Sequence, residues 1–129
     1  MTRRNPLLLL LAVALACGGE DGPTDEPRPG ELVAALNTPN NQDGALLLRV
    51  VGPVSAVTPV GGHRVSSATS GATTRVVLTG NITDGDILRL TVPDTRNLTS
   101  YTVLVEQVAA RDTYALLEPG GYSIALRVK

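Results

Sequence analysis

The seven residues Tyr122-Ser123-Ile124-Ala125-Leu126-Arg127-Val128 alternate between large apolar side chains and small or polar ones. A period of two is the period of a strand, so this stretch has one dry face and one wet face. Leu88-Arg89-Leu90-Thr91-Val92 repeats the pattern. Alternation of this kind belongs to antiparallel sheets packed on one side only. The same reading places strands near 32–36, 45–51, 55–57, 64–67, 73–79, 86–92, 101–108, 114–116 and 122–128. Turn formers separate them: the Pro39 to Gly44 segment, Gly52-Pro53, Gly61-Gly62, Gly80-Asn81, Asp84-Gly85, Pro93-Asp94 and Pro119-Gly120-Gly121. No helical spacing of apolar residues is sustained beyond the first few tens of residues, so the folded part is expected to be an all-β antiparallel sandwich of about seven to nine strands. With no Phe, no Trp and three Tyr, its core must be aliphatic. β-branched and aliphatic residues suit the half-buried face of a sheet.

The start of the chain obeys a different grammar. Arg3 and Arg4 precede an apolar run, Leu7 to Val13, which gives way to Ala14-Leu15-Ala16-Cys17. A short positive segment, an apolar segment and small residues make a secretory signal peptide. The run is too short for a permanent span of a ~30 Å hydrocarbon core, which takes about 20 residues. The Arg3-Arg4 pair lacks the polar and aromatic surroundings of a twin-arginine signal, so general secretion is expected. Three regions follow: a signal peptide over 1–16, a tether over 17–30, and a β-sandwich domain over 31–129. The tether is acidic and rich in Pro and Gly, without an apolar side chain that could seed a core, and is expected to be disordered. Thirteen such residues reach roughly 20 Å.

Ala14-Leu15-Ala16-Cys17 resembles the bacterial lipobox, whose usual form is Leu-Ala-Gly/Ala-Cys. Here Ala14 and Leu15 stand where Leu and a small residue are commonest. The resemblance implies that Cys17, the chain's only cysteine, carries lipid, palmitate included, after cleavage in front of it. Several acyl chains at about 0.8 kcal/mol per buried CH₂ would hold the protein on a membrane, where one chain would be marginal. Gly18 replaces the aspartate that retains some lipoproteins in the inner membrane, which favours the outer membrane of a Gram-negative cell. Leu117-Glu118-Pro119-Gly120-Gly121-Tyr122 resembles the Leu-x-Pro-Gly-x-Tyr signature of Greek-key β-sandwiches such as fibronectin type III domains. That resemblance implies a structural corner of Leu117, Pro119, Gly120 and Tyr122, in which the tyrosine hydroxyl can bond back to the backbone. The order of parts from Thr38-Pro39-Asn40-Asn41 through Gly85 to Val92 and Val105 to Asp112 is similar to cohesin-like domains. It implies a sandwich architecture, without implying dockerin binding.

Catalytic and metal chemistry find little to work with. His63 is the only histidine; Ser66, Ser67 and Asp43 could complete a triad with it, but no Gly-x-Ser-x-Gly elbow occurs and a solvated loop histidine is the simpler reading. One histidine and one acylated cysteine leave no zinc site of ordinary composition. Asp84 and Asp86, with Asn81 and Thr83 nearby, could offer a calcium loop, although the spacing matches no EF-hand and a hairpin turn explains the same residues. Without the leader, nine basic residues face twelve acidic ones, and no basic stripe exists to hold nucleic acid. No cofactor and no catalytic residue is therefore expected. The expected function is a non-enzymatic, lipid-anchored, extracytoplasmic module of the cell envelope that binds a protein partner or serves structurally. The alternative is a small-ligand or carbohydrate-binding module.

Overall fold

The computed structural model describes residues 26–129. The expected signal peptide, Cys17 and most of the expected tether lie outside the described residues. The described part is all-β. Nine strands run in order: β1 (Gly30–Asn37), β2 (Asp43–Val51), β3 (Ala56–Pro59), β4 (Arg64–Ser70), β5 (Thr73–Ile82), β6 (Gly85–Val92), β7 (Thr102–Ala110), β8 (Leu116–Leu117) and β9 (Ser123–Val128). Two short 3-10 turns, Thr95–Ser100 and Pro119–Gly121, interrupt them. Every strand expected from alternation and turn chemistry has a counterpart, with ends displaced by a few residues.

The strands form two antiparallel sheets, one in the order β3-β6-β1-β9 and the other β4-β5-β2-β7-β8. The chain crosses between sheets repeatedly, so that β1 lies between β6 and β9, and β2 between β5 and β7. These long-range neighbours are the Greek-key connections of a sandwich.

Alternation decides what goes between the sheets. Leu32, Ala34 and Leu36 of β1 and Leu88, Leu90 and Val92 of β6 face inward and are buried. Opposite them lie Leu46, Leu48 and Val50 of β2 with Val76 and Leu78 of β5. Each such aliphatic side chain is worth about 1.5–3 kcal/mol on removal from water. Without large aromatic rings, the core gains its stability from many modest contributions.

The strand boundary at the entry to the domain comes one residue before the expected 31, and order extends further back. The Arg28 carbonyl accepts the Thr95 N–H at 2.8 Å, and its own N–H donates to Asp94 Oδ1 at 3.2 Å. The described end of the expected tether is thus docked against the 95–100 turn.

Candidate functional site

The Leu117 to Tyr122 corner is assembled as a tie between the two sheets. Leu117 lies in β8, paired with Val108 of β7, and Pro119 opens the following 3-10 turn. Its fixed φ suits that first position. The Tyr122 N–H closes the turn on the Pro119 carbonyl at 3.0 Å, which drives the ring inward to 9 % exposure. The hydroxyl does not bond back to the backbone, as the resemblance implied. It donates to Asp43 Oδ1 at 2.6 Å and accepts from Asn40 Nδ2 at 2.8 Å. Asp43 is fully buried, and its second oxygen accepts the Thr38 hydroxyl at 2.6 Å. A buried carboxylate needs such donors, because desolvation without them is costly. Burial, and then the bond to Asp43, push the Tyr122 hydroxyl above the usual tyrosine range.

The sequence places Asp43 in the Pro39 to Gly44 turn and offers it as a triad carboxylate, and its buried bond to Tyr122 was not legible there, for a physical reason. Counting back in twos from Leu48 and Leu46 sends Gly44 inward and Asp43 outward. A bulge between Asp43 and Ala45 shifts the register, and one extra residue exchanges the faces. A second pin was missed as well. Tyr101 lays its ring on Gly52, where an added Cβ would sit 2.5 Å from the ring, and donates its hydroxyl to the Pro53 carbonyl at 2.6 Å. Gly52 also holds φ at 125°, a conformation costly for any other residue. Burial, then the nearby Asp94 charge, raise the Tyr101 hydroxyl too.

The candidate catalytic and metal residues are engaged elsewhere. His63 is half-buried, with Nδ1 2.6 Å from the Val60 carbonyl and Nε2 3.3 Å from that of Asn81. It is a strut between a loop and the end of β5, not the freely solvated side chain expected. Its supposed partner Asp43 is committed to the tie, while Ser66 and Ser67 stand exposed on β4. Asp84 accepts the Thr38 N–H at 2.7 Å, whereas Asp86 forms a two-pronged pair with Arg127 at 2.7 Å on each prong. The two carboxylates of the supposed calcium loop therefore serve different structural partners. The Arg127 guanidinium holds Asp86 below the usual carboxylate range. Among the described residues, no three His, Cys, Asp or Glu are grouped to hold a metal.

What the structure offers instead is surface. The outward face of the five-stranded sheet carries Leu47 and Val77 side by side, with Ala45 beside Ala109 and Ala109 beside Leu116. Val77 is 43 % exposed and Leu116 73 %. Tyr114 closes this stripe at 81 % exposure, and its backbone holds φ at 59°. That left-handed conformation is rare for an aromatic residue, and it replaces the strand start expected there. With Tyr101 and Tyr122 buried, no cluster of rings is available to stack sugars. A cleft of about 410 Å³ lies beside Tyr114, between Gly44, Thr79, Gly80 and Ala110. Its walls are mainly apolar, and the one charged side chain among them, Arg111, donates to Asn81 Oδ1 at 2.6 Å. A second feature is a groove of about 540 Å³ on one flank, between β7 and β9.

Compared with protein-family models, with curated proteins and with solved structures, the chain matches none. Its class is therefore defined by fold and surface: the described residues form a nine-stranded antiparallel sandwich with an apolar outer stripe and a grooved flank.

Proposed function

We propose that this chain is a lipid-anchored, extracytoplasmic protein whose sandwich is a non-catalytic protein-interaction module of the cell envelope. The observation that carries the reading is the apolar stripe of Val77, Leu116 and Tyr114 on the outer face of the five-stranded sheet. Contiguous apolar surface framed by polar residues is the mark of a protein contact, whereas a ligand site wants an enclosed pocket with convergent polar groups. Anchorage rests on Cys17 and the leader before it. It puts the module on a membrane facing outward.

The test compares charge placed on the two outer faces. Envelopes are dissolved in mild detergent and resolved by native electrophoresis, where the parent chain is expected in an assembly larger than itself. Val77→Lys should release it as a single chain, and Thr58→Lys on the other sheet should not. A parent that migrates alone, or equal loss in both variants, contradicts the reading. Anchorage is tested by Cys17→Ala, which should leave membranes or remain uncleaved. A variant that fractionates and migrates as the parent does would remove the anchor from the account.

A further inference from the structure

We propose that the groove between β7 and β9 is a docking site for an extended, uncharged strand supplied by another polypeptide, which adds to the open edge of β7. The inference rests on the reading of the domain as a protein-interaction module and names the kind of segment it binds.

Two independent features converge on the groove. The first is backbone. β7 pairs with β2 along its length, but on its other side β8 reaches only Val108 and Ala109. Among the described residues no strand covers that edge from Thr102 to Gln107. A bulge at Glu106 ends the regular stretch, and the groove is lined by β7 and its lead-in only from Tyr101 to Val105. The Tyr101 N–H is already taken by the Leu98 carbonyl, so four residues, Thr102 to Val105, at ~3.4 Å each give an open edge of about 14 Å, the length of a short strand. An unpaired edge of this kind asks for backbone N–H and C=O partners, which only another strand supplies throughout.

The second feature is the side chains. Ile124 and Leu126 of β9 occupy inward positions of a strictly alternating strand, yet both remain half-exposed and Val128 is 48 % exposed. Val105 across the groove is likewise half-buried. The sequence therefore places apolar residues where the chain itself fails to cover them. A strand on the edge of β7 would point alternate side chains at them and complete the layer.

Charge selects the occupant. No ionisable acid or base lines the groove; its only titratable groups are the two tyrosine hydroxyls, both held protonated by burial. A charged side chain buried there would go unpaired. The chain's own preceding segment is thereby excluded, since Gly18 to Asp25 holds three acidic residues and no apolar side chain of any length. That segment also enters at Arg28, docked on Asp94, and the occupant proposed is a strand of another polypeptide.

The test uses the full chain in mild detergent and the synthetic peptide Lys-Thr-Val-Thr-Val-Thr-Val-Lys, read by amide hydrogen exchange. Saturating peptide should slow exchange at Thr102–Val105 by about tenfold or more and leave β4, the far edge of the same sheet, unchanged. Ile124→Glu should weaken binding by about tenfold. Because that variant could unfold, the same peptide with each Val replaced by Asp is tested on the unaltered chain and should not bind. Absence of saturable protection, protection of β4 instead, or protection at Thr102–Val105 that grows with protein concentration without peptide would each overturn the proposal. The last result would make a second copy the occupant. Loss of the groove leaves the envelope assembly and its sensitivity to Val77→Lys intact, so the two ideas fail separately.

Discussion

The two outer faces of the sandwich follow the same alternation and spend their outward positions in opposite ways. On the four-stranded sheet, Arg127 pairs with Asp86 and Lys129 with Glu31. Val33, outward in register between Arg89 and Arg127, is only 4 % exposed. Long cationic side chains cover apolar surface with their stems while their heads stay in water. On the five-stranded sheet, Glu106 bridges Arg49 and Arg75, and Arg64 stands exposed at the start of β4. Among its other outward positions, Val77, Leu104 and Leu116 are left bare. One face is finished for water, and the other leaves large apolar side chains exposed.

Breaking the tie that holds the faces back to back should have the largest effect. Tyr122→Ala is expected to cost about 3–5 kcal/mol in urea unfolding, as deletion of a buried aromatic does. Tyr122→Phe keeps the ring but leaves Asp43 Oδ1 without its donor, and should cost about 1–3 kcal/mol. A Tyr122→Phe change near zero would show that the ring alone makes the corner.

The next experiment sharpens the contrast itself. Val33→Ala should cost about 1.5 kcal/mol, two buried methylene equivalents, while Val77→Ala should stay within about 0.5 kcal/mol because water already surrounds it. Equal costs would mean the faces are equally covered. The smallest effect concerns acid. Arg127 depresses Asp86 in the folded protein, so the pair stabilises the fold above the unfolded carboxyl value, and its contribution is lost as pH falls through the lower folded value. Arg127→Ala should therefore flatten part of the decline of the urea midpoint between pH 5 and about 2. The contribution of Asp94, also depressed by a neighbouring arginine, Arg96, should remain. An unchanged acid limb would leave the surface pair without weight, as many exposed pairs are.

Much of this architecture was legible because it depends on local chemistry. Strand after strand follows from alternation bounded by Gly, Pro, Asn and Asp, and the Leu88 to Val92 stretch faces as its pattern requires. What escaped depends on register and on neighbours distant in sequence. The bulge after Asp43 reverses the parity that would have exposed it. The turn from Arg111 to Ala115 throws Tyr114 into the left-handed region against its strand preference. That β8 stops after two residues, opening the flank of β7, follows from the order of strands in a sheet, which no window of sequence contains. The half-buried Ile124 and Leu126 carry the same lesson, since their alternation was plain while the missing cover was not.

The central claim is that the five-stranded face meets a partner and the four-stranded face meets water. A photo-crosslinking residue placed at Val77 in one chain and at Ala125 in another, each irradiated in intact envelopes, tests it most directly. The account predicts a discrete crosslinked species from position 77 and none from position 125. Crosslinking from position 125 alone, or equally from both, would contradict it.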